Sequence, residues 1–125
     1  MKRWQLEGVG IEALRLNDAP VPTPGHGEVL VRVKAAAINA RDLGILAGHY
    51  PNKPDVVPFS DGAGIIEAVG PGVSGFAAGD AVIGCFYPFW ESGPADENNR
   101  TSLGCNLDGM LAEYALVPAS GLVLK

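Results

Sequence analysis

Polar side chains able to donate hydrogen bonds gather between residues 39 and 61. Asn39, Arg41 and Asp42 stand almost side by side, Tyr50 follows, and Ser60-Asp61 close the stretch. An amide, a guanidinium and a phenol can each donate to an oxygen on which negative charge develops. Ser60-Asp61 with His26 or His49 would also make the residue types of a hydrolytic triad. That chemistry needs a base within hydrogen-bond reach of the serine and an oxyanion hole. No GxSxG elbow is present to supply the geometry, so the triad is set aside. His26 lies in a Pro-Gly-His-Gly turn and reads as a solvated turn residue. His49 reads as a loop histidine beside Tyr50-Pro51.

Two further patterns carry a competing bland reading. Gly70-Pro71-Gly72-Val73-Ser74-Gly75 spells the dinucleotide fingerprint GxGxxG. The fingerprint works only where a helix opens in its last residues, so that the helix N-terminus meets a pyrophosphate. Here Phe76-Ala77-Ala78-Gly79-Asp80 follows and then a second apolar strand pattern. The glycines therefore read as a turn between strands. The run Phe86-Tyr87-Pro88-Phe89-Trp90 is dense in aromatics. It fits either core and rim packing or one wall of an apolar substrate cleft, and both readings stay open.

The elements that must position these groups are mostly strands. Period-two and apolar patterns predict strands over Lys2–Leu6, Glu12–Leu16, Glu28–Ala36, Gly64–Val69, Asp80–Phe86 and Met110–Val117. In the third, Val29, Val31 and Val33 alternate with Leu30, Arg32 and Lys34, which puts one face in a core and the other mostly in water. Turn signals separate the strands: Asn17-Asp18, Pro24-Gly25, Pro71-Gly72, Gly79-Asp80 and Asp108-Gly109. This spacing predicts a mostly antiparallel barrel or sandwich. One helix is expected after Asn39, an N-cap with Asp42 three residues on as the capping-box acid. Leu43, Leu46 and Ala47 supply its apolar side and Gly48 its stop. Residues 91–102, ESGPADENNRTS, read as an exposed excursion, long enough to suggest a function.

Composition bounds the class. A chain of 125 residues, 47% apolar and 18% charged, fits one soluble globular domain spanning residues 1–125. The net charge is −5 and no cluster of Lys and Arg interrupts it, which argues against a nucleic-acid partner. No apolar run approaches 18 residues, so no membrane span is expected, and MKRWQLEG is not followed by the apolar segment of a secretory leader. Two cysteines, Cys85 and Cys105, make no disulfide framework. Reduced, mostly buried thiols in the cytoplasm are the expectation.

Longer strings go further. PxPGxGEVLVRVKAAAIN spans Pro22–Asn39, RDxxILxGxYP spans Arg41–Pro51, PxSDGAGxxxAVGPGV spans Pro58–Val73, GDAV spans Gly79–Val82, and LGCxxDGxLAEYxLVPxxGLV spans Leu103–Val123. Together they resemble the N-terminal half of a medium-chain dehydrogenase/reductase, the family of zinc alcohol dehydrogenases and zinc-free quinone oxidoreductases, and most of all its zinc-free NAD(P)-dependent branch. The resemblance implies a GroES-like fold, a partly open β-barrel, mainly β with short helices.

It also implies roles. In the zinc enzymes a Cys stands where this chain has Asn39, and a His-Glu pair where it has Ser60-Asp61. Amide and hydroxyl are poor ligands for zinc, and a single carboxylate does not hold it. The structural zinc lobe needs four closely spaced cysteines, against Cys85 and Cys105 here. No zinc is expected at either place. In zinc-free relatives the Asn and its neighbours, here Asn39, Ala40 and Arg41, approach the nicotinamide end of NADP or NAD. The Tyr of the GxYP string, Tyr50, faces the small-molecule substrate. Asn39 and Tyr50 are thus the expected catalytic donors, and Tyr50, Ser60, Phe89 and Trp90 the expected cleft. A second cleft tyrosine of some quinone reductases is Gly44 here.

In the family a nucleotide-binding domain follows, and this sequence stops at Lys125. Two functions are therefore expected candidates. One is the catalytic-domain portion of a zinc-independent NAD(P)H-dependent oxidoreductase acting on a carbonyl, alcohol or activated alkene, inactive alone. The other is a stand-alone, non-catalytic β-barrel module that binds a small ligand or self-associates as a homodimer.

Overall fold

The computed structural model describes all 125 residues. Seven strands and one α-helix follow in the order β1 (Lys2–Leu6), β2 (Leu14–Asp18), β3 (Glu28–Ala37), α1 (Ala40–Leu46), β4 (Asp61–Val69), β5 (Ala81–Gly84), β6 (Tyr114–Pro118) and β7 (Leu122–Leu124), with single 3₁₀ turns at Ile11–Ala13 and Ala119–Gly121. β1 and β2 form a two-stranded hairpin, and the other five form a sheet in the order β6-β3-β4-β5-β7. All pairings are antiparallel. The sheets do not close on themselves, so the architecture is the expected GroES-like one, mainly β and open.

β3 is the long central strand, and two register shifts against β4, at Leu30/Val31 and at Val33/Ala35, bend it. The bend explains why the expected alternation is incomplete. Val29 and Val31 are buried as predicted, but Leu30, assigned to the outer face, is also only 4% exposed. Val29 and Val31 join Phe59, Ile66, Val82, Leu103, Met110, Ala115, Val117 and Leu122 in the main core. A second cluster of Leu6, Ile45, Leu46, Val56 and Cys105 binds α1 to the hairpin. Backbone bonds from Trp4 N–H to Leu111 O (3.0 Å) and from Leu6 N–H to Val56 O (2.9 Å) fasten the hairpin to the rest.

The helix turns only part of the expected side inward: Leu46 is buried as expected, Leu43 and Ala47 are not. Asp42, Ile45 and Leu46 are buried, one face at spacings of three and four, while Leu43 is 58% exposed and Ala47 exposed. The second core lies on the Ile45 side, and the sequence pattern around Leu43 carries no signal of where that core is. β2 begins two residues later than predicted because Ile11–Ala13 take a 3₁₀ turn and the register pairs Leu6 with Leu14. Met110–Val117 is not one strand: only Tyr114–Pro118 pairs with β3, while the residues before it serve the hairpin through the Arg3–Ala112 bridge. β7 was not anticipated, since three residues carry too little pattern.

Candidate functional site

The start of α1 is held by a capping box. Asp42, at the third helical position, accepts the Asn39 backbone N–H at 2.8 Å. Asp42 is 0% exposed and its second oxygen, Oδ1, has no partner. Its work is local and structural. The Asn39 side chain reaches across to the first residue of β4: Nδ2 donates to Asp61 Oδ2 at 2.7 Å. Asp61 itself borders a hollow of about 410 Å³ walled by Ala35, Ala36, Ala37 and Ile83. Small side chains on β3 leave this space open, and Ile83 makes it apolar.

Ser60 precedes Asp61 and is 0% exposed, with its Oγ unpartnered. The chain enters β4 through Phe59, whose φ of 78° is rare for a bulky residue. That turn is clamped by Gly109 N–H to Val57 O (2.7 Å) and Met110 N–H to Phe59 O (2.9 Å). The clamp aims Ser60 inward. It has no base in reach, which agrees with setting the triad aside, and it does not open onto the cleft for which it was expected.

Arg41 builds a second constellation. Its guanidinium carbon sits 4.6 Å from the centroid of Phe86 and 5.4 Å from that of Tyr50. Nη2 donates to Ser102 Oγ at 2.8 Å. Nη1 is buried and has no partner. Tyr50 reaches this place because α1 ends one turn earlier in a Schellman motif: Gly48 N–H bonds Ile45 O (3.1 Å) and His49 N–H bonds Gly44 O (2.9 Å). Gly48 takes φ 82°, a left-handed conformation that favours glycine. The Tyr50 ring then lies on Gly44, where an added Cβ would stand 2.7 Å from Cε2. A side chain at position 44 would therefore meet the Tyr50 ring.

Of the aromatic run, Phe86 and Tyr87 border Arg41. The Tyr87 ring packs edge-on to Phe86 at 4.6 Å and tilted to Trp90 at 5.7 Å. Phe89 turns to a different hollow, beside Lys53 and Asp108, and Trp90 Nε1 donates to Gly93 O at 2.9 Å. The expected polar set is therefore split. Tyr50 and Arg41 belong together, and Asn39 belongs with Asp61. Ala40 lies between as the first helical residue and is exposed. Ser102 was missed as a partner of Arg41, although it ends the excursion flagged as functional. The Gly70–Gly75 segment is a turn with Gly72 and Gly75 at positive φ, followed by β5 and not by a helix, so it offers no pyrophosphate seat.

The donors at the zinc-ligand positions are an amide, a buried hydroxyl and one carboxylate, and the carboxylate is engaged by the amide. This set does not fit Zn²⁺, which takes thiolate, imidazole and several carboxylates. No three His, Cys, Asp or Glu side chains stand close enough to form a metal site. No helix is long and apolar enough to cross a membrane.

Residues 25–125 match the alcohol dehydrogenase GroES-like domain. The zinc-type alcohol dehydrogenase-like protein of Schizosaccharomyces pombe is 45% identical over 118 residues, covering 91% of this chain and 34% of that protein. The cobalt- and zinc-bound thermostable alcohol dehydrogenase of Pyrobaculum aerophilum superposes with a TM-score of 0.89 at 34% identity, over 100% of this chain and 41% of that one. A quinone oxidoreductase of Pseudomonas syringae pv. Tomato gives a TM-score of 0.78 at 30% identity, over 99% of this chain and 33% of that one. The chain thus spans about a third of the length of the curated relative and of the quinone oxidoreductase.

Proposed function

The chain belongs to the alcohol dehydrogenase GroES-like domain family of the medium-chain dehydrogenase/reductases, and from that premise we propose that it is the substrate-handling portion of a zinc-independent NAD(P)H-dependent oxidoreductase. The substrate is a carbonyl compound, an alcohol or an activated alkene. The observation that carries the reading is the 2.7 Å bond from Asn39 Nδ2 to Asp61 Oδ2. It ties the residue at the Cys position of the zinc enzymes to the residue at the Glu position of their His-Glu pair, and it leaves the carboxylate committed.

A nicotinamide coenzyme, when bound, would supply or accept the hydride. The residues of this chain orient the substrate and stabilise charge on its oxygen. A primary amide nitrogen carries two N–H groups. In Asn39 one is held by Asp61, which fixes the plane of the amide, and the other is free to donate to a developing oxyanion. Tyr50, whose hydroxyl bonds to no protein group, is the second donor. Asn39, Ala40 and Arg41 would hold the nicotinamide end of the coenzyme. The apolar hollow beside Asp61 gives the substrate an apolar wall. Two free cysteines, Cys85 and Cys105, suit a reducing compartment, and the reading takes the protein as cytoplasmic.

The test is to join the chain to the nucleotide-binding portion of the Schizosaccharomyces pombe relative. NADPH and NADH consumption are then followed with quinones, enals and aldehydes. Turnover of at least one class by metal-free protein is expected. Turnover that appears only on adding zinc, with one equivalent retained per chain, sinks the zinc-independent mechanism. Failure with every class sinks the oxidoreductase reading.

A further inference from the structure

We propose that Arg41 is the seat of an oxyanion carried by the substrate, so that the natural substrate bears a carboxylate or phosphate group. The first ground is the state of the guanidinium. It lies near the rings of Phe86 and Tyr50 and is held by Ser102 through Nη2, while Nη1 is buried with no partner. A buried cationic donor left unmade is costly. No carboxylate of the chain relieves it: the ion pairs are Lys2–Asp18, Arg32–Glu67 and Lys53–Asp108. Asp42, next in sequence, spends Oδ2 on the Asn39 N–H.

The second ground is the space beside it. Arg41 lines a hollow of about 530 Å³ together with Tyr50, Tyr87, Arg100, Glu97 and Asn106. Two guanidinium groups face one carboxylate there, in a chain whose net charge is −5. The local excess of positive charge is a feature of this hollow and not of the composition. The hydroxyl of Tyr87 bonds to no protein group and stands ready as a neutral donor. A planar guanidinium fork, held at one nitrogen by Ser102 and with a phenol beside it, is suited to a carboxylate or phosphate. Entry to Nη1 requires the rim to shift, and the Tyr50 ring, 42% exposed, is the part of the rim free to do so.

This inference rests on the oxidoreductase reading only in calling the bound molecule the substrate. Binding is therefore measured on the chain itself, without coenzyme or turnover. Crotonate, inorganic phosphate and pyrophosphate are titrated separately. Binding is read from Trp90 fluorescence, through its contact with Tyr87, and from the ¹⁵N side-chain resonances of Arg41. Crotonate or phosphate is expected to saturate one site, more weakly as salt rises. Arg41→Met should weaken that binding about tenfold or more, the usual worth of a hydrogen bond to a charged group. Arg41→Lys, which keeps the charge and loses the fork, should weaken it as well and guards against a folding failure of the first variant. Arg100→Gln should matter less than either. No saturable binding of any probe overturns the proposal, as does binding indifferent to both Arg41 variants. Pyrophosphate binding about tenfold tighter than both other probes assigns the seat to a coenzyme and overturns the substrate assignment. A null result here leaves turnover of the joined enzyme untouched, and a null result there leaves this titration interpretable.

Discussion

Gly44→Ala separates the stability of α1 from the geometry of the site. Alanine in a helix interior is favoured over glycine by about 1 kcal/mol. Against this, the new methyl would stand 2.7 Å from Tyr50 Cε2 and 3.3 Å from Cδ2, closer than atoms pack. The ring is the far end of a flexible, half-exposed side chain, so it swings away while the backbone stays. Leaving Arg41 forfeits a cation–π contact of about 0.5–1 kcal/mol. The two effects nearly cancel, and the unfolding free energy should stay within about 0.5 kcal/mol of the parent. Denaturant unfolding measures that number, and the Tyr50 ring resonances report displacement. In the joined enzyme, turnover should fall because the phenol has left its place, although the fold is intact. A loss of more than about 2 kcal/mol would mean that the backbone moves and the ring does not yield. Unchanged Tyr50 resonances would refute the placement of the ring over Gly44.

Three other outcomes are expected. In the joined enzyme, Tyr50→Phe and Asn39→Ala should each lower turnover about a hundredfold, the usual cost of one oxyanion donor, while Ser60→Ala, which removes a buried and unpartnered hydroxyl, changes it little. The Asn39 variant is paired with an unfolding curve, since a lost cap costs about 1 kcal/mol, and the assignment fails if Ser60→Ala alone abolishes activity. Gly48→Ala forces a Cβ into φ 82° and to 3.0 Å from Val9 Cγ1; a loss of about 1–2 kcal/mol is expected, and no loss would place the end of α1 elsewhere. Hydrogen bonding to Lys2 holds the Asp18 carboxyl below its ordinary value of 3.8. Its small stabilisation is therefore present above that pH and lost as pH falls through the lowered value. Because both ends lie in solvent, salt should erase the difference between parent and Asp18→Asn in thermal unfolding; a difference that survives both acid and salt contradicts the pairing.

Much of the protein is written in short stretches of its sequence. Lys2–Leu6 and the body of β3 follow from apolar periodicity, because a strand's side-chain period needs only neighbouring residues. The start of α1 at Asn39 with Asp42, and its stop at Gly48, follow from backbone groups satisfied within one turn. The ordered strings from Pro22 to Val123 carried the GroES-like fold, and the residue types at Asn39 and Ser60 carried the poor fit to zinc. Other features rest on contacts between residues distant in the chain, and no local pattern encodes those. Which face of α1 is buried depended on Leu6, Val56 and Cys105 meeting Ile45 and Leu46. Ser60 turned inward because residues 104–111 clamp the Phe59 turn from the far end of the chain. Asn39 found Asp61 across 22 residues and Arg41 found Ser102 across 61. The sequence named the donors, and only the tertiary structure decided that Asn39 is held by Asp61 and that Tyr50 lies against Arg41, because burial and pairing over such separations are settled by how the sheet and helix pack.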